Sequence, residues 1–423
     1  MTVPAGLSRF GAEERRRLAV EACRMLERLR RHGAGPDGSV SRLVYTPEWQ
    51  AAMDEVALWL SEGGLEVRTD AVGSRFGRLA GELPEVVLTG SHMDSVRGGG
   101  AYDGVLGVVM AGCAVRWLAA HLGRPRRTLE VFANCEEESS RFHCNFWGSR
   151  ALAGLIEPGE SERLRDASGT SLAEAMSACG FDPARIPEAR RSDLVAYLEP
   201  HIEQGPVLFQ ANQVIGVVDR IVGLRMLTVD LDGMAGHAGT IPMAHRRDAL
   251  TGAAEVALGT ERIARRRGAP TVATVGSLVV QPGGFNQVPG AAELTIDFRH
   301  PEEQVLDELE SELRQLVAGV AASRNLTARV ERRLGQRPVH FDERLCAALE
   351  AACAEAAVPW RRMPSHAGHD AQLIGTLCPA AMFFVPSRDG HSHRPDERTE
   401  PEHIGAGIEV LVRALVQIAY AEP

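Results

Sequence analysis

Four short stretches of the 423-residue chain concentrate side chains able to hold a metal or move a proton. The first, TGSHMDSVRGGGAYDG, runs from Thr89 to Gly104 and carries His92, Asp94 and Asp103 in a glycine-rich loop. Imidazole and carboxylate together suit zinc, manganese or cobalt. Asp94, two residues beyond His92, is placed to orient that imidazole. The second, ANCEEESSRF (Ala133–Phe142), puts three consecutive glutamates directly after an apolar run. Such a cluster is costly unless something positive neutralises it. It also allows a division of labour, one glutamate binding metal while its neighbour acts as general base. The third, LEPHIEQGPVL, centres on His201, Glu203 and Gln204; the fourth, VPSRDGHSHRPDE, carries His391 and His393. Alone, a loop His with two Asp is more often an ordinary set of solvated side chains and a lone His is usually structural, while the three glutamates already favour a site over a solvated acidic turn. Four such clusters, each supplying His or an acid, point to one metal-dependent site.

Each cluster follows a short β-like run: Glu85–Thr89, Thr128–Ala133, Leu194–Leu198 and Ala381–Val385. In open α/β sheets, sites gather beyond the carboxyl ends of the strands. Short apolar runs alternating with longer helical patterns are the mark of that class. Residues 12–31 read as an amphipathic, Arg-rich helix with a solvated face. The stretch 213–331 has another character. It reads as strands Val214–Val218 and Arg225–Leu231, a glycine-bearing loop, and a helix Pro242–Arg265. Then come a strand Thr271–Val279, the loop QPGGFNQVPG and a strand Ala292–Phe298. A last helix has Pro301 in its first turn and Val305, Leu306, Leu309, Leu313, Leu316 and Val320 on one face. The expected organisation is therefore an α/β metal-binding domain, 1–212 and 332–423, with a smaller α+β domain, 213–331, inserted.

Composition excludes several chemistries. All 46 basic residues are arginine, against 56 acidic residues, for a formal charge of −10. Without lysine there is no Schiff-base site, no pyridoxal lysine and no P-loop lysine. Net acidity argues against nucleic acid as a partner. No run of about 18 apolar residues is present, so no membrane span is expected. The N-terminal stretch lacks a basic-then-apolar signal pattern, and the eight cysteines form no CxxC pair. Reduced thiols in a cytoplasmic protein are the expectation, with Cys135 and Cys144 as packing residues.

The ordered motifs GSHMDSVRGGGAYDG, EESSRF, WGSRALAG, HIEQGP, GHAGTIPMAHRRDAL, AGHDA and VPSRDGHSHRPDE cover nearly the whole chain. Together they resemble the hydantoinase/carbamoylase amidases. That family includes N-carbamoyl-L-amino acid amidohydrolases, allantoate amidohydrolases and β-ureidopropionases, within the larger group of di-metal peptidases and deacylases. The resemblance implies a peptidase-like catalytic domain with a central mixed sheet, plus an inserted lid through which the chain forms a homodimer. It implies two divalent ions (zinc, manganese, cobalt or nickel), with His92 and His201 on one, Glu138 and His393 on the other, and Asp103 bridging. Glu137 becomes the general base. Gln204, Asn286 and Arg299 match substrate-contacting positions, and His237 matches a histidine reaching the partner subunit's active site. Arg246 and Arg247 are expected to be structural. The implied reaction cleaves the ureido C–N bond of an N-carbamoyl-L-amino acid to amino acid, ammonia and carbon dioxide. Allantoate stands close behind as substrate and β-ureidopropionate third. A peptidase or N-acyl-amino acid deacylase fits HIEQGP and GHAGTIPM poorly. A metal-dependent binding protein without turnover fits the presence of Glu137 and all five ligands poorly.

Three departures from the family pattern stand out. Ser139 follows Glu138 where many relatives carry glycine. Gly236 stands where asparagine is common. His366, in SHAGHDA, replaces a usual glycine, a larger change near residues expected to shape substrate choice. His391 is expected to be a bystander beside His393. His369 and Asp370 match residues near the site without an assigned role.

Overall fold

The computed structural model describes Leu7 and residues 10–421. Two compact units emerge: Met1–Asp219 with Phe341–Met363 and Gly368–Pro423, and Arg220–His340 with Pro364–Ala367. The smaller unit thus begins at Arg220 rather than 213 and runs to His340 rather than 331. The difference has a plain origin. The strand Ile215–Ile221 pairs with Ala380–Val385 of the central sheet, so residues 213–219 stay with the larger unit. At the other end, residue 331 falls inside the strand Thr327–Gln336.

In the larger unit, seven strands of a central mixed sheet run in the order Glu66–Thr69, Arg75–Leu79, Arg127–Asn134, Leu83–His92, Leu194–Ile202, Ala380–Val385, Ile215–Ile221. The middle four are mutually parallel and the outer pairings are antiparallel. Parallel strands covered on both faces read as continuous apolar runs rather than alternating ones. That is why Val86–Leu88, Leu129–Ala133 and Ala380–Val385 stood out in the sequence and why they are buried throughout. The helix Val105–His121 is apolar around most of its circumference and packs against the sheet. Gly107 permits that approach, because a Cβ there would lie 2.1 Å from the carbonyl of Pro200.

The helix starting at Pro401 is long and apolar enough to cross a membrane on composition alone, yet 72% of that stretch is buried within the protein. It packs against Val105–His121 and the N-terminal helix Ala12–Arg30, as a core element does. No disulfide forms among the described residues, and Cys135 and Cys144 are buried.

In the smaller unit, a four-stranded antiparallel sheet has the order Thr327–Gln336, Gly223–Asp232, Ala291–His300, Val272–Gln281. Two helices, Ala249–Arg267 and Glu303–Ser323, supply the other half of its core with Val256, Leu306, Leu309 and Leu313. Ala291–His300 shows the period-two pattern of a half-covered strand, with Ala292, Leu294, Ile296, Phe298 and His300 inward. The first helix begins at Ala249, capped by the Asp248 carboxylate on Thr251 N, not at Pro242. Pro301 precedes the second helix, whose first residue is Glu303, instead of lying in its first turn. A two-stranded ladder pairs Gly236–His237 with Gln287–Val288.

Candidate active site

The four parallel strands end in register. His92 lies opposite Asn134, and Phe384 opposite His201. The polar loops that follow these ends therefore meet above one edge of the sheet. His92 is the last residue of its strand and His201 the penultimate residue of its own. Asp103 comes from the glycine-rich loop, directly before the helix at Val105. Gly104 is required between them: its φ is +65°, and a Cβ would stand 2.4 Å from the His92 imidazole.

His92, Asp103 and His201 converge on one point, all buried; Asp103, Glu138 and His393 converge on a second. Asp103 Oδ1 lies 3.3 Å from His201 Nε2 and 3.9 Å from His92 Nε2. Its Oδ2 lies 3.0 Å from His393 Nε2, which is itself 3.2 Å from Glu138 Oε1. One carboxylate thus faces both sets.

Electrostatics favour positive charge here. Asp103 Oδ1 and Glu138 Oε1 are shielded from solvent and have no hydrogen-bond partner among the described residues. Buried carboxylate oxygens left so are costly unless a cation or donor reaches them. Hydrogen bonds to Asp103 and Glu138 push the His393 imidazole up to about 10 despite its partial burial. Burial would raise Asp103, but His393, His201 and His92 together hold it below the usual carboxylate range. Burial lowers His201 to about 4, leaving a neutral ring with a lone pair to donate. Imidazole nitrogens and carboxylate oxygens in sets of three are the donors that zinc and its neighbours take. The residues present fit two divalent cations.

Asp94 organises the surrounding loop. Its Oδ1 accepts the backbone N–H of Glu137 at 3.0 Å and its Oδ2 that of Glu138 at 3.2 Å. The same carboxylate lies 3.2 Å from His92 Nδ1, which directs Nε2 toward Asp103. Glu137 is half-buried, with a carboxylate oxygen in the same small cluster as His92 and Glu138. Burial, with Glu138 and Asp370 nearby, holds it well above the usual carboxylate range although His92 opposes this. Gln204, at φ 59°, donates from Nε2 to Asp103 Oδ2 at 2.8 Å. Ser139 takes a left-handed φ of 57°, the turn a glycine would adopt, and its N–H reaches Glu136 Oε1 at 2.6 Å.

His92, Asp94, Asp103, Glu137, Glu138, His201, Gln204 and His393 are therefore brought together. His391 is not: it pairs with Asp396 at 3.0 Å. His237, Asn286 and Arg299 belong to the smaller unit. His237 is exposed on the short ladder, and its Nδ1 accepts the N–H of Gly239 at 3.0 Å, which places the ring proton on Nε2. The carbonyl of Asn286 accepts Ala238 N at 2.9 Å. Arg299 grips Asp297 through two nitrogens, at 2.9 and 3.1 Å, and donates to the His366 carbonyl at 2.6 Å. Arg246 donates to the carbonyls of Ala238 and Ile241, and Arg247 to that of Asn325. At Gly236 a Cβ would stand 2.1 Å from Ile241 Cδ1, so the space of a larger residue is taken by isoleucine.

Sequence reasoning named His369 and Asp370 without a role, and it missed Glu199, the buried acid beside Asp370. Glu199 accepts from Ser91 Oγ at 2.9 Å and from Ala371 N at 2.7 Å, and burial with Asp370 nearby raises it to about 8. Asp370 accepts from Asn134 Nδ2 at 2.8 Å and Ser149 Oγ at 2.7 Å. His369 stacks edge-on against His201 with ring centroids 4.5 Å apart. It also missed Glu397, although that residue closes the fourth motif, four residues past His393.

Known proteins resemble this chain in sequence and fold. The profile of peptidase family M20/M25/M40 matches residues 88–417. An allantoate amidohydrolase of Escherichia coli is 40% identical over 92% of this chain and 95% of its own. An N-carbamoyl-L-amino acid amidohydrolase of Geobacillus stearothermophilus is 41% identical over 92% and 96%. The crystal structure of a hydantoinase/carbamoylase family amidase from Burkholderia multivorans superposes with a TM-score of 0.90 at 35% identity, covering 96% of this chain and 98% of that one. The chain belongs to peptidase family M20/M25/M40. Within it, the chain is an amidase of the hydantoinase/carbamoylase branch, a hydrolase of C–N bonds.

Proposed function

We propose that the chain hydrolyses the ureido C–N bond of an N-carbamoyl-L-amino acid, using two divalent cations. The convergence of His92, Asp103 and His201 with Glu138 and His393, beside Glu137, carries this reading. His92 and His201 would hold one cation, Glu138 and His393 the other, and Asp103 both. Cations in these positions supply Lewis-acid polarisation and a water of lowered pKa.

The protein's own groups do the rest. Asp94 fixes the backbone of Glu137 and Glu138, so the base and the ligand keep one spacing. A Glu137 carboxylate oxygen takes the proton of the attacking water as its oxygen bonds to the ureido carbonyl carbon. The C–N bond to the amino acid breaks, Glu137 returns the proton to that nitrogen, and the released carbamate falls to ammonia and carbon dioxide. Arg299 is the cation for the substrate carboxylate, through the one N–H that Nη1 and Nη2 each keep beyond Asp297 and the His366 carbonyl; Gln204 and Asn286 are the substrate's further contacts. His237 offers Nε2–H as a neutral donor to the oxyanion. We place it in the partner subunit's site. Support comes from the outer strand Val272–Gln281 of the smaller unit, which exposes Leu278 and Val279, with Phe285 also exposed. An uncovered apolar edge strand is a surface for a second copy of the chain. We also place the protein in the cytoplasm, where eight free thiols persist.

Allantoate is the second reading, on the strength of the equally close allantoate amidohydrolase. Ammonia release distinguishes them. Chelator-treated enzyme is reloaded in turn with Mn²⁺, Co²⁺, Ni²⁺ or Zn²⁺. It is then offered N-carbamoyl-L- and D-methionine, allantoate, β-ureidopropionate and N-acetyl-L-methionine. Metal-dependent release from N-carbamoyl-L-methionine, lost in Glu137→Gln, is expected. Release from allantoate alone establishes the second reading; release from none, with two metals bound, refutes both.

A further inference from the structure

Glu397 lies between two loops that are 290 residues apart in the chain and is only 5% exposed. Its Oε1 accepts the backbone N–H groups of Tyr102 at 2.8 Å and Asp103 at 2.9 Å. Its Oε2 accepts Ser392 Oγ at 3.1 Å and the backbone N–H of His393 at 3.2 Å. A carboxylate offers about four lone-pair sites; three backbone N–H groups fill three of them, and the Ser392 hydroxyl, which also lies 3.2 Å from Asp103 Oδ2, shares its one proton between the two carboxylates. No arginine pairs with it among the described ion pairs, so these donors are what hold its two oxygens in place. Gly100 leaves the room, since a Cβ there would stand 2.2 Å from Glu397 Oε1.

The residues so tied are Asp103, which faces both cation clusters, and His393, which belongs to one. Neither is held by a strand. Asp103 follows a run of three glycines, and His393 sits in a loop at φ 58°. His92 and His201, by contrast, are anchored in the sheet ladder. We propose that Glu397 is a positioning residue that clamps the Asp103 and His393 loops at one separation, and that it builds one cation position far more than the other. Of the position formed by Asp103, Glu138 and His393, the clamp holds two of three donors. Of the position formed by His92, His201 and Asp103, it holds one of three.

The inference rests on the reading that these clusters hold cations, and the test separates the two. Zn²⁺ is titrated into chelator-treated wild type, Glu397→Ala and Glu397→Gln, by competition with a chromophoric chelator. Melting of the metal-free proteins is followed alongside. Wild type is expected to take two Zn²⁺ per chain. Glu397→Ala should weaken one by about 100-fold and the other by less than about tenfold, within the range seen when groups that orient ligands are removed. Glu397→Gln keeps one acceptor oxygen and turns an amide donor toward the other pair of donors, so it should fall between. Placing Glu397→Ala on Glu138→Ala identifies the position. The cation that survives Glu138→Ala should lose less than about tenfold further. Two wild-type affinities in Glu397→Ala overturn the clamp, as does equal weakening of both cations. A wild type that binds no Zn²⁺ overturns the cation reading itself. Should Glu397→Ala fail to fold, Glu397→Gln carries the same comparison.

Discussion

Removing the Asp94 side chain tests the architecture most directly, because one carboxylate serves three functional residues. Asp94 is 1% exposed and accepts from Glu137 N at 3.0 Å and Glu138 N at 3.2 Å. It also lies 3.2 Å from His92 Nδ1. Asp94→Ala orphans two backbone donors, each costing about 1–3 kcal/mol when buried, so the sum is about 2–6 kcal/mol. His92 keeps an acceptor in the Asp94 carbonyl at 3.3 Å and adds little. Water entering the vacated space recovers part of the loss, which brings the expectation to about 2–4 kcal/mol. Asp94→Asn retains one acceptor oxygen for the two donors and should lose about half as much, about 1–2 kcal/mol. Urea denaturation of the chelator-treated proteins reads this directly. Zinc affinity, measured by chelator competition, should fall about 10–100-fold in Asp94→Ala, since a ligand from each cluster loses its support. The reasoning is refuted if Asp94→Ala unfolds within about 0.5 kcal/mol of wild type and binds zinc as tightly, which is the behaviour of an ordinary surface substitution.

Glu137→Gln keeps the backbone bond to Asp94, so two metals should remain bound while kcat falls by about 10²–10⁴-fold, the usual contribution of a general base; metal content by mass spectrometry beside ammonia release checks both halves. His237→Ala should be slow with full metal content. Mixed with Glu137→Gln after dissociation and reassociation, it should recover about a quarter of wild-type activity, because half the dimers are mixed and each has one intact site. Unchanged activity on mixing argues that His237 serves its own chain. His366→Gly keeps the carbonyl that binds Arg299 but removes an imidazole whose Nδ1 is buried without a hydrogen-bond partner among the described residues. It should raise kcat/KM for N-carbamoyl amino acids with large side chains about tenfold relative to N-carbamoylglycine, a difference typical of freed apolar volume; equal change for both removes His366 from substrate choice.

The central sheet was legible because strands covered on both faces must be apolar without interruption, and each was followed by polar residues that a core would not tolerate. Helix edges were less so. Gly236 through Arg247 read as loop running into helix, but the cap that starts the helix is Asp248, and a capping residue looks like any other aspartate until its N–H partner is known. Pro301 suits a first turn by its fixed φ, yet it equally suits the residue before a cap, where the chain placed it. The limits of the smaller unit were misjudged because strand pairing, not composition, decides to which sheet residues 213–219 belong.

Residue types and order were enough to determine the chemistry: imidazole and carboxylate donors without lysine, arriving at the ends of four apolar strands, in motifs shared with the hydantoinase/carbamoylase amidases. Tertiary structure decided which of those residues meet. His391 and His393 are one residue apart, yet one pairs with Asp396 while the other faces Asp103 and Glu138. Glu397 and Asp103 are hundreds of residues apart, and a hydrogen bond of 2.9 Å joins them. Spacing along a chain fixes local direction only within a helix or strand. In the loops that carry this site, direction is set by partners that folding alone brings into reach.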